Sequence, residues 1–178
     1  ACFDRNIADP WIRRVIDAFL TDTAIIERLR EAPGAQNWHN AYSGGLLEHT
    51  YEVMIIVEKM ADLYPAMDKN IALCGAFLHD IGKVFELNSR TFEYTNDGGL
   101  LGHIALGFEL LSQKIALLDQ FPHEYATHLK HIILSHHGEY EQQSPILPKT
   151  LEATVVYHAD ELVSQANAVK ELIGSQRS

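Results

Sequence analysis

Apolar residues recur at three- and four-residue spacing through most of the chain, which predicts a protein built from α-helices. The first predicted helix begins at Asp9-Pro10 and runs to about Arg30. Further helices are predicted from Ser43-Gly44-Gly45 to Tyr64-Pro65, from Asp68 to near Gly82, and over Leu100 to Leu117, Pro122 to Ser135 and Thr150 to Ile173. Residues 85–97 alternate aromatic and polar side chains, so a short hairpin or irregular loop is expected there. The fold class is therefore all-α, with about six helices.

Length and composition favour a single domain over residues 1–178. The chain has 47% hydrophobic residues with only 11 Gly and 6 Pro, which excludes a disordered or linker-rich polymer. No internal repeat and no long linker divides it. A chain of this length buries roughly 70% of its unfolded surface, so its core requires no stabilising metal or disulfide.

The two cysteines and the apolar runs bear on where the protein is located. Cys2 and Cys74 form no CxxC or Cys/His zinc pattern, so neither a disulfide framework nor a structural zinc site is supported. The longest uninterrupted apolar run, Ile71 to Leu78, is too short for a membrane span, and the amino terminus does not resemble a signal peptide. We therefore expect a cytoplasmic protein that does not bind a membrane.

The charge balance limits the class of partner. The chain has 14 Lys and Arg against 24 Asp and Glu, a net charge of −10, and a surface of that sign repels a polyanion. We therefore do not expect this domain alone to bind long nucleic acid. Histidine is the unusual residue, with ten in the chain, several of them beside aspartate or beside each other.

A His-Asp pair at the end of an apolar helix is the strongest local signal for chemistry. Alone, His79-Asp80 is weak evidence, because a histidine that caps the helix and a solvated aspartate would give the same dipeptide. His49 shares an inward-facing stripe with Leu46 and Val53, although a lone inward histidine is often just a hydrogen-bonded core residue. Further candidates occupy other helix ends or inward stripes: His103, His136, His137 and Asp160.

Five histidines and two aspartates on separate apolar elements need a common partner, and a metal cluster is the simplest one. Imidazole and carboxylate ligands suit Mn, Fe, Ni or Zn, with Mg as a further candidate, and no thiolate is available for an iron–sulfur cluster. Seven ligands exceed the needs of one tetrahedral ion. Two divalent ions about 3.5–4 Å apart, sharing one carboxylate, suit phosphate hydrolysis.

Several short strings occur in an order that resembles a known family. They are Tyr42-Ser43-Gly44-Gly45-Leu46-Leu47-Glu48-His49-Thr50, Leu78-His79-Asp80-Ile81-Gly82-Lys83, Leu101-Gly102-His103-Ile104, Ile133-Leu134-Ser135-His136-His137-Gly138, Ser144-Pro145 and His158-Ala159-Asp160. Together they resemble the HD-domain metal-dependent phosphohydrolases, and most closely the HD domain of YhaM-type 3′-to-5′ exoribonucleases. The resemblance covers about Trp38 to Asn167, the expected core 38–167, and implies an HD-domain helical bundle.

The resemblance also implies roles for individual residues. His49, His79, Asp80 and Asp160 would bind one ion, and Asp80 would reach the second ion together with His103, His136 and, as a further candidate, His137. Lys83 would be the cation that faces the phosphate, and Asp80 and Lys83 would be the catalytic residues. The alternative for Lys83 is a solvated lysine at a helix C-terminus, where a cation is favoured anyway.

The implied activity is hydrolysis of a nucleotide or short oligonucleotide by a hydroxide that two metal ions activate. YhaM-type enzymes carry an OB-fold domain before the HD domain, which has no counterpart in these residues, so processive RNA degradation is not expected of this chain. The Gly-Tyr-Pro signature of cyclic-dinucleotide enzymes is also missing. Two alternatives remain: an HD-type di-iron oxygenase, against which His136-His137 and Lys83 weigh, and a non-catalytic nucleotide-binding sensor.

Overall fold

The computed structural model describes residue 3 and residues 6–36 and 40–175. Its α-helices are α1 (Pro10–Leu20), α2 (Thr23–Glu31), α3 (Gly45–Leu63), α4 (Lys69–Leu78), α5 (Lys83–Glu86), α6 (Asn96–Ala116), α7 (His123–Ser135) and α8 (Leu151–Ser175). A single 3₁₀ turn, Tyr140–Gln142, follows α7. The prediction of an all-α fold is confirmed for these ranges. Cys2 and Trp38, the start of the expected core, lie outside the described residues.

The first predicted helix is divided into two. Asp9 caps α1 by accepting hydrogen bonds from the backbone N–H groups of Trp11 and Ile12. Asp22 then caps α2 by accepting one from Ile25. An aspartate in this position satisfies backbone donors that a continuous helix would satisfy internally, and so it favours a new helix start. The helical periodicity on both sides of Asp22 concealed this break.

The region predicted as a hairpin or loop is largely irregular, as expected. It begins with the short helix α5 and continues to an isolated antiparallel bridge between Leu87 and Tyr94. Thr95 then caps α6, which starts four residues earlier than predicted. Gly102 kinks α6 with φ 73° and ψ 159°, a backbone conformation that a side chain disfavours. The kink lies immediately before His103.

Helix α4 lies at the centre of the molecule. All residues from Ile71 to Leu78 are buried, and α4 packs against α3, α7 and α8. Gly75 lets α4 approach α7 closely, because an added Cβ would collide with the side chain of Ile132. His79 and Asp80 follow directly after this buried helix and are themselves buried. In the described part of the chain, no helix combines the length and apolarity needed to cross a membrane.

Candidate metal centre

The side chains predicted as metal ligands come together around Asp80. Two groups of donor atoms are close enough to hold a metal ion, and Asp80 belongs to both. One group contains His49, His79 and Asp80, and the other contains Asp80, His103, His136 and His137. The remaining predicted ligand, Asp160 on α8, contacts the first group. Three helices, α3, α6 and α8, and the turns that follow α4 and α7 thus converge on one point.

The first group joins α3, the end of α4 and α8. The Nε2 atom of His49 lies 3.0 Å from Oδ1 of Asp160 and 3.3 Å from Nε2 of His79. The Nε2 atoms of His49 and His79 lie 3.6 Å and 3.5 Å from Oδ2 of Asp80. His49 is buried, as its place on the inward stripe of α3 predicts. Two imidazoles and two carboxylates therefore surround one small volume.

The second group lies on the other side of Asp80. Its Oδ1 atom is 3.5 Å from Nε2 of His103 and 3.4 Å from Nε2 of His136. The Nε2 atom of His137 lies 3.3 Å from Nε2 of His103. Each oxygen of the Asp80 carboxylate therefore faces a different set of imidazoles. This is the arrangement in which one carboxylate can serve two cations.

The outer nitrogens of the histidines fix which way the rings present their lone pairs. Nδ1 of His79 lies 2.7 Å from the carbonyl oxygen of Ala76, and Nδ1 of His136 lies 2.8 Å from that of Ile133. Because a carbonyl oxygen only accepts, Nδ1 must carry the proton. In both rings this contact turns the Nε2 atom towards Asp80. This outer contact is typical of histidines that ligate metals.

Several of these inner atoms lack the hydrogen-bond partners that buried polar atoms require. Oδ1 of Asp80 and Nε2 of His136 are buried without a hydrogen-bond partner among the described residues. Nδ1 of His137 contacts the carbonyl oxygen of Gln142, and Nδ1 of His103 contacts a carboxylate oxygen of Glu86. The Nε2 atoms of these two rings lie 3.3 Å apart. Two nitrogens bound tetrahedrally at about 2.0–2.1 Å would be about 3.3 Å apart. A shared cation fits this spacing.

The electrostatics of the site favour the metal-binding forms of His136, His137 and Asp80. Burial lowers the pKa of His136, and burial together with the neighbouring His136 lowers the pKa of His137. Both rings are therefore neutral near pH 7. Burial opposes ionisation of Asp80, but the charges of Lys83 and His79 outweigh it and hold the pKa of Asp80 well below its ordinary value. A carboxylate and neutral imidazoles are the forms that bind a divalent cation.

Lys83 lies beside the ligands rather than in solvent. Its Nζ atom donates a hydrogen bond of 2.7 Å to Oδ2 of Asp80, and its side chain is only 19% exposed. It is the first residue of α5, not the end of a helix, so the helix-dipole alternative does not account for its position. Lys83 also lines the cavity onto which the ligands open.

That cavity has a volume of about 930 Å³. His103, His136, His137 and Asp160 form part of its wall. The rest of the wall is mainly polar and includes Gln142, Gln143, Tyr94, Tyr157, Glu141 and Glu161. The volume suits a ligand of nucleotide size.

Glu86 is a buried residue of the site that the sequence pattern did not reveal. Its Oε1 atom accepts hydrogen bonds from the backbone N–H of His103 at 2.8 Å and from Nδ1 of the same residue at 3.0 Å. Burial would raise its pKa, but the contacts with His103 outweigh this effect and lower it, so Glu86 is ionised. Glu86 lies in the stretch predicted as a hairpin, and its position three residues after Lys83 was the one available signal.

We expect the variant Glu86→Gln to weaken metal binding at the His103 side of the site. The amide oxygen can still accept from His103, but the lost charge makes this imidazole a poorer ligand and releases its orientation. Loss of such an outer partner typically costs 10–100-fold in metal affinity, so we expect a loss of at least about tenfold. Titration with Mn²⁺ and elemental analysis after dialysis measure this effect.

Glu109→Gln is the matched control, because Glu109 lies exposed on the same helix as His103 and contacts Gln113. It should bind metal as the unmodified protein does. Equal Mn²⁺ affinity in both variants would show that Glu86 has no influence on the ligands.

Comparison with known proteins identifies the family. The sequence model described as the HD domain matches residues 46–164, which is more than half of the chain. The chain belongs to the HD domain family. The matched segment contains all of the predicted ligands, from His49 to Asp160. Members of this family bind divalent metals, and the two donor groups around Asp80 agree with that property.

Two curated relatives are 3′-5′ exoribonucleases named YhaM. The protein of Bacillus subtilis (strain 168) is 38% identical over 136 residues, which are 76% of this chain and 43% of the relative. That of Bacillus velezensis (strain DSM 23117 / BGSC 10A6 / LMG 26770 / FZB42) is 39% identical over 131 residues, 73% of this chain and 41% of the relative. The chain thus spans about two fifths of the length of these relatives. No solved structure matches it significantly.

Proposed function

We propose that this HD domain is a metal-dependent phosphohydrolase that cleaves phosphoester bonds in a nucleotide or at the end of a short oligonucleotide. One observation carries the proposal. The buried carboxylate of Asp80 is shared by two groups of metal-binding side chains, and these groups open onto a cavity of nucleotide size. The names of the two relatives support RNA as the substrate class, and the family supports the metal dependence.

The proposal assigns two divalent ions to the two groups. His49, His79, Asp80 and Asp160 would hold one ion, and Asp80, His103, His136 and His137 would hold the other. Imidazole and carboxylate donors fit Mn, Fe, Ni or Zn, and Mg is a further candidate. When bound, such ions supply Lewis-acid activation of water and neutralise charge that develops on a phosphoryl group.

The protein's own side chains bind the metal ions, position Lys83 and donate hydrogen bonds to the phosphoryl group. The imidazoles and carboxylates are held in place by their outer hydrogen bonds, so the site is ready before substrate arrives. Asp80 holds Lys83 at 2.7 Å through one hydrogen of its ammonium group, which carries three. The remaining hydrogens of Lys83 can therefore be donated to a phosphoryl oxygen in the adjoining cavity. None of these residues needs to form a covalent intermediate.

The charge of the chain indicates how the substrate would approach. A net charge of −10 disfavours the approach of an extended polyanion, whereas a single terminal phosphodiester can be drawn to the cationic centre. We therefore propose that the end of a strand, not its interior, enters the cavity. The polar wall with Gln142 and Tyr157 can contact the sugar and base without adding charge.

Removal and return of metal tests the proposal. Protein treated with a chelator should lose hydrolysis of bis(p-nitrophenyl) phosphate and of a 3′-labelled oligoribonucleotide, and one of Mn²⁺, Fe²⁺, Ni²⁺, Zn²⁺ or Mg²⁺ should restore both. Elemental analysis would accompany each assay. The proposal fails if iron-loaded protein consumes O₂ without cleaving phosphoesters, or if metal-loaded protein binds nucleotides without forming product.

A further inference from the structure

The cavity of about 930 Å³ beside the metal ligands is called the catalytic cavity below. A second cavity, of about 320 Å³, adjoins it and is lined by residues of different charge. Its polar lining consists of Arg28, Asn88, Ser89, Arg90 and Thr95, with no carboxylate among the described lining residues. The wall of the catalytic cavity, by contrast, includes several carboxylates. Two arginines thus face one concave site in a chain whose net charge is strongly negative. A site of this composition attracts an anion.

The two cavities border the same short segment, residues 83–87. Lys83, Glu86 and Leu87 line the catalytic cavity, whereas Val84 and the same Leu87 line the second. Helix α5 and Leu87 thus border both cavities. An α-helix is about 10–12 Å across with its side chains, a distance that a few linked nucleotides can span. One strand could thus reach both cavities.

The Arg28 side chain contacts α5, and Arg90 lies on a turn that follows it. The guanidinium of Arg28 lies over the ring of Phe85, 5.2 Å from its centroid, and Nη1 contacts the carbonyl oxygen of Val84 at 3.5 Å. Oδ1 of Asn88 accepts hydrogen bonds from the backbone N–H groups of Arg90 and Thr91, which fixes the turn that carries Arg90. A fixed guanidinium loses less entropy when it binds phosphate than a free one does.

We propose that this second cavity binds a backbone phosphate of an oligonucleotide whose end lies in the catalytic cavity. The inference rests on the proposed function, and it adds that the preferred substrate is several nucleotides long. Arginine can bind phosphate through two parallel hydrogen bonds, and the hydroxyl groups of Ser89 and Thr95 are further candidate contacts. A substrate too short to reach the second cavity would not bind more tightly because of it.

The double variant Arg28→Gln/Arg90→Gln tests the proposal. With a single-stranded oligoribonucleotide of eight residues, we expect KM to rise at least about tenfold, because the charge-assisted hydrogen bonds to the phosphate are lost. Hydrolysis of bis(p-nitrophenyl) phosphate should not change. Arg30→Gln is the matched control, because Arg30 lies on the same helix but borders a different, mainly apolar cavity.

Direct binding gives a second readout that does not require turnover. The anisotropy of a fluorescent octanucleotide is measured with chelator present, at several salt concentrations. Loss of the contact with this one phosphate should weaken binding and reduce the slope of log K against log[salt] by about 0.7, while Arg30→Gln keeps the original slope. Equal slopes and affinities in the double variant and the unmodified protein, or no binding by the latter, would overturn the proposal. Failure of the proposed function would appear separately, as absence of hydrolysis in every variant.

Discussion

The variant Asp80→Asn is expected to lower phosphoester hydrolysis by at least about a thousandfold. Asparagine has nearly the same shape but no charge, and it offers one oxygen where both oxygens of Asp80 now face imidazoles. Charge stabilisation by metal ions contributes several kcal/mol, and about 4 kcal/mol corresponds to a thousandfold change in rate. The assay is hydrolysis of bis(p-nitrophenyl) phosphate at saturating Mn²⁺.

Metal content measured on the same samples separates a lost site from an unfolded protein. We expect Asp80→Asn to lose most of its bound metal while keeping the helical circular dichroism spectrum of the unmodified protein. Asp62→Asn is the control, because Asp62 lies near the exposed end of α3, with 62% of its side chain accessible. A variant at Asp80 that retained both metal and rate would disprove the central role of this carboxylate.

The ligands could be predicted from the sequence because each of them follows a local pattern. His49 belongs to the same helical stripe as Leu46 and Val53, and all three are buried. Asp160 shares a face of α8 with Val156 and borders both the ligand cluster and the cavity. Helical periodicity determines which face is buried before any tertiary contact is known. Periodicity alone does not show which inward residues form one metal site. The ordered motifs, such as Leu78-His79-Asp80, predicted this through their resemblance to the family.

Features that depend on contacts distant in sequence were missed. The break between α1 and α2 is stabilised by a 2.6 Å ion pair between Asp22 and Lys114, which lies on α6. Glu86 acquires its role from His103, 17 residues later and beyond a kink. Hydrophobic patterns contain no information about which charged residue will face another across the fold. The kink at Gly102 directly precedes His103, whose two nitrogens contact the buried Glu86 carboxylate.

The variant Gly82→Ala should destabilise the protein. Gly82 has helical backbone angles, φ −64° and ψ −20°, so alanine adds no conformational strain there. Its added Cβ would instead collide with the carbonyl oxygen of His103 and lie 2.6 Å from the backbone nitrogen of Gly107. Backbone cannot rotate away as a side chain can. We expect the free energy of unfolding to fall by about 1–3 kcal/mol, measured by urea denaturation.

The same collision should also affect the metal centre, since the backbone contact between Gly82 and His103 sets the distance from α6 to Asp80. If α6 shifts outward, His103 leaves the second ligand group, and Mn²⁺ affinity should fall along with stability. Gly99→Ala is the matched control. Gly99 lies on α6, the helix that carries His103, and an added Cβ there meets nothing within 4 Å. We expect Gly99→Ala to be neutral or to stabilise the protein by up to about 1 kcal/mol, because alanine has the higher helix propensity. Equal denaturation midpoints for the two variants would mean that α6 can move away from Gly82 at no cost, and that the placement of His103 does not depend on this contact.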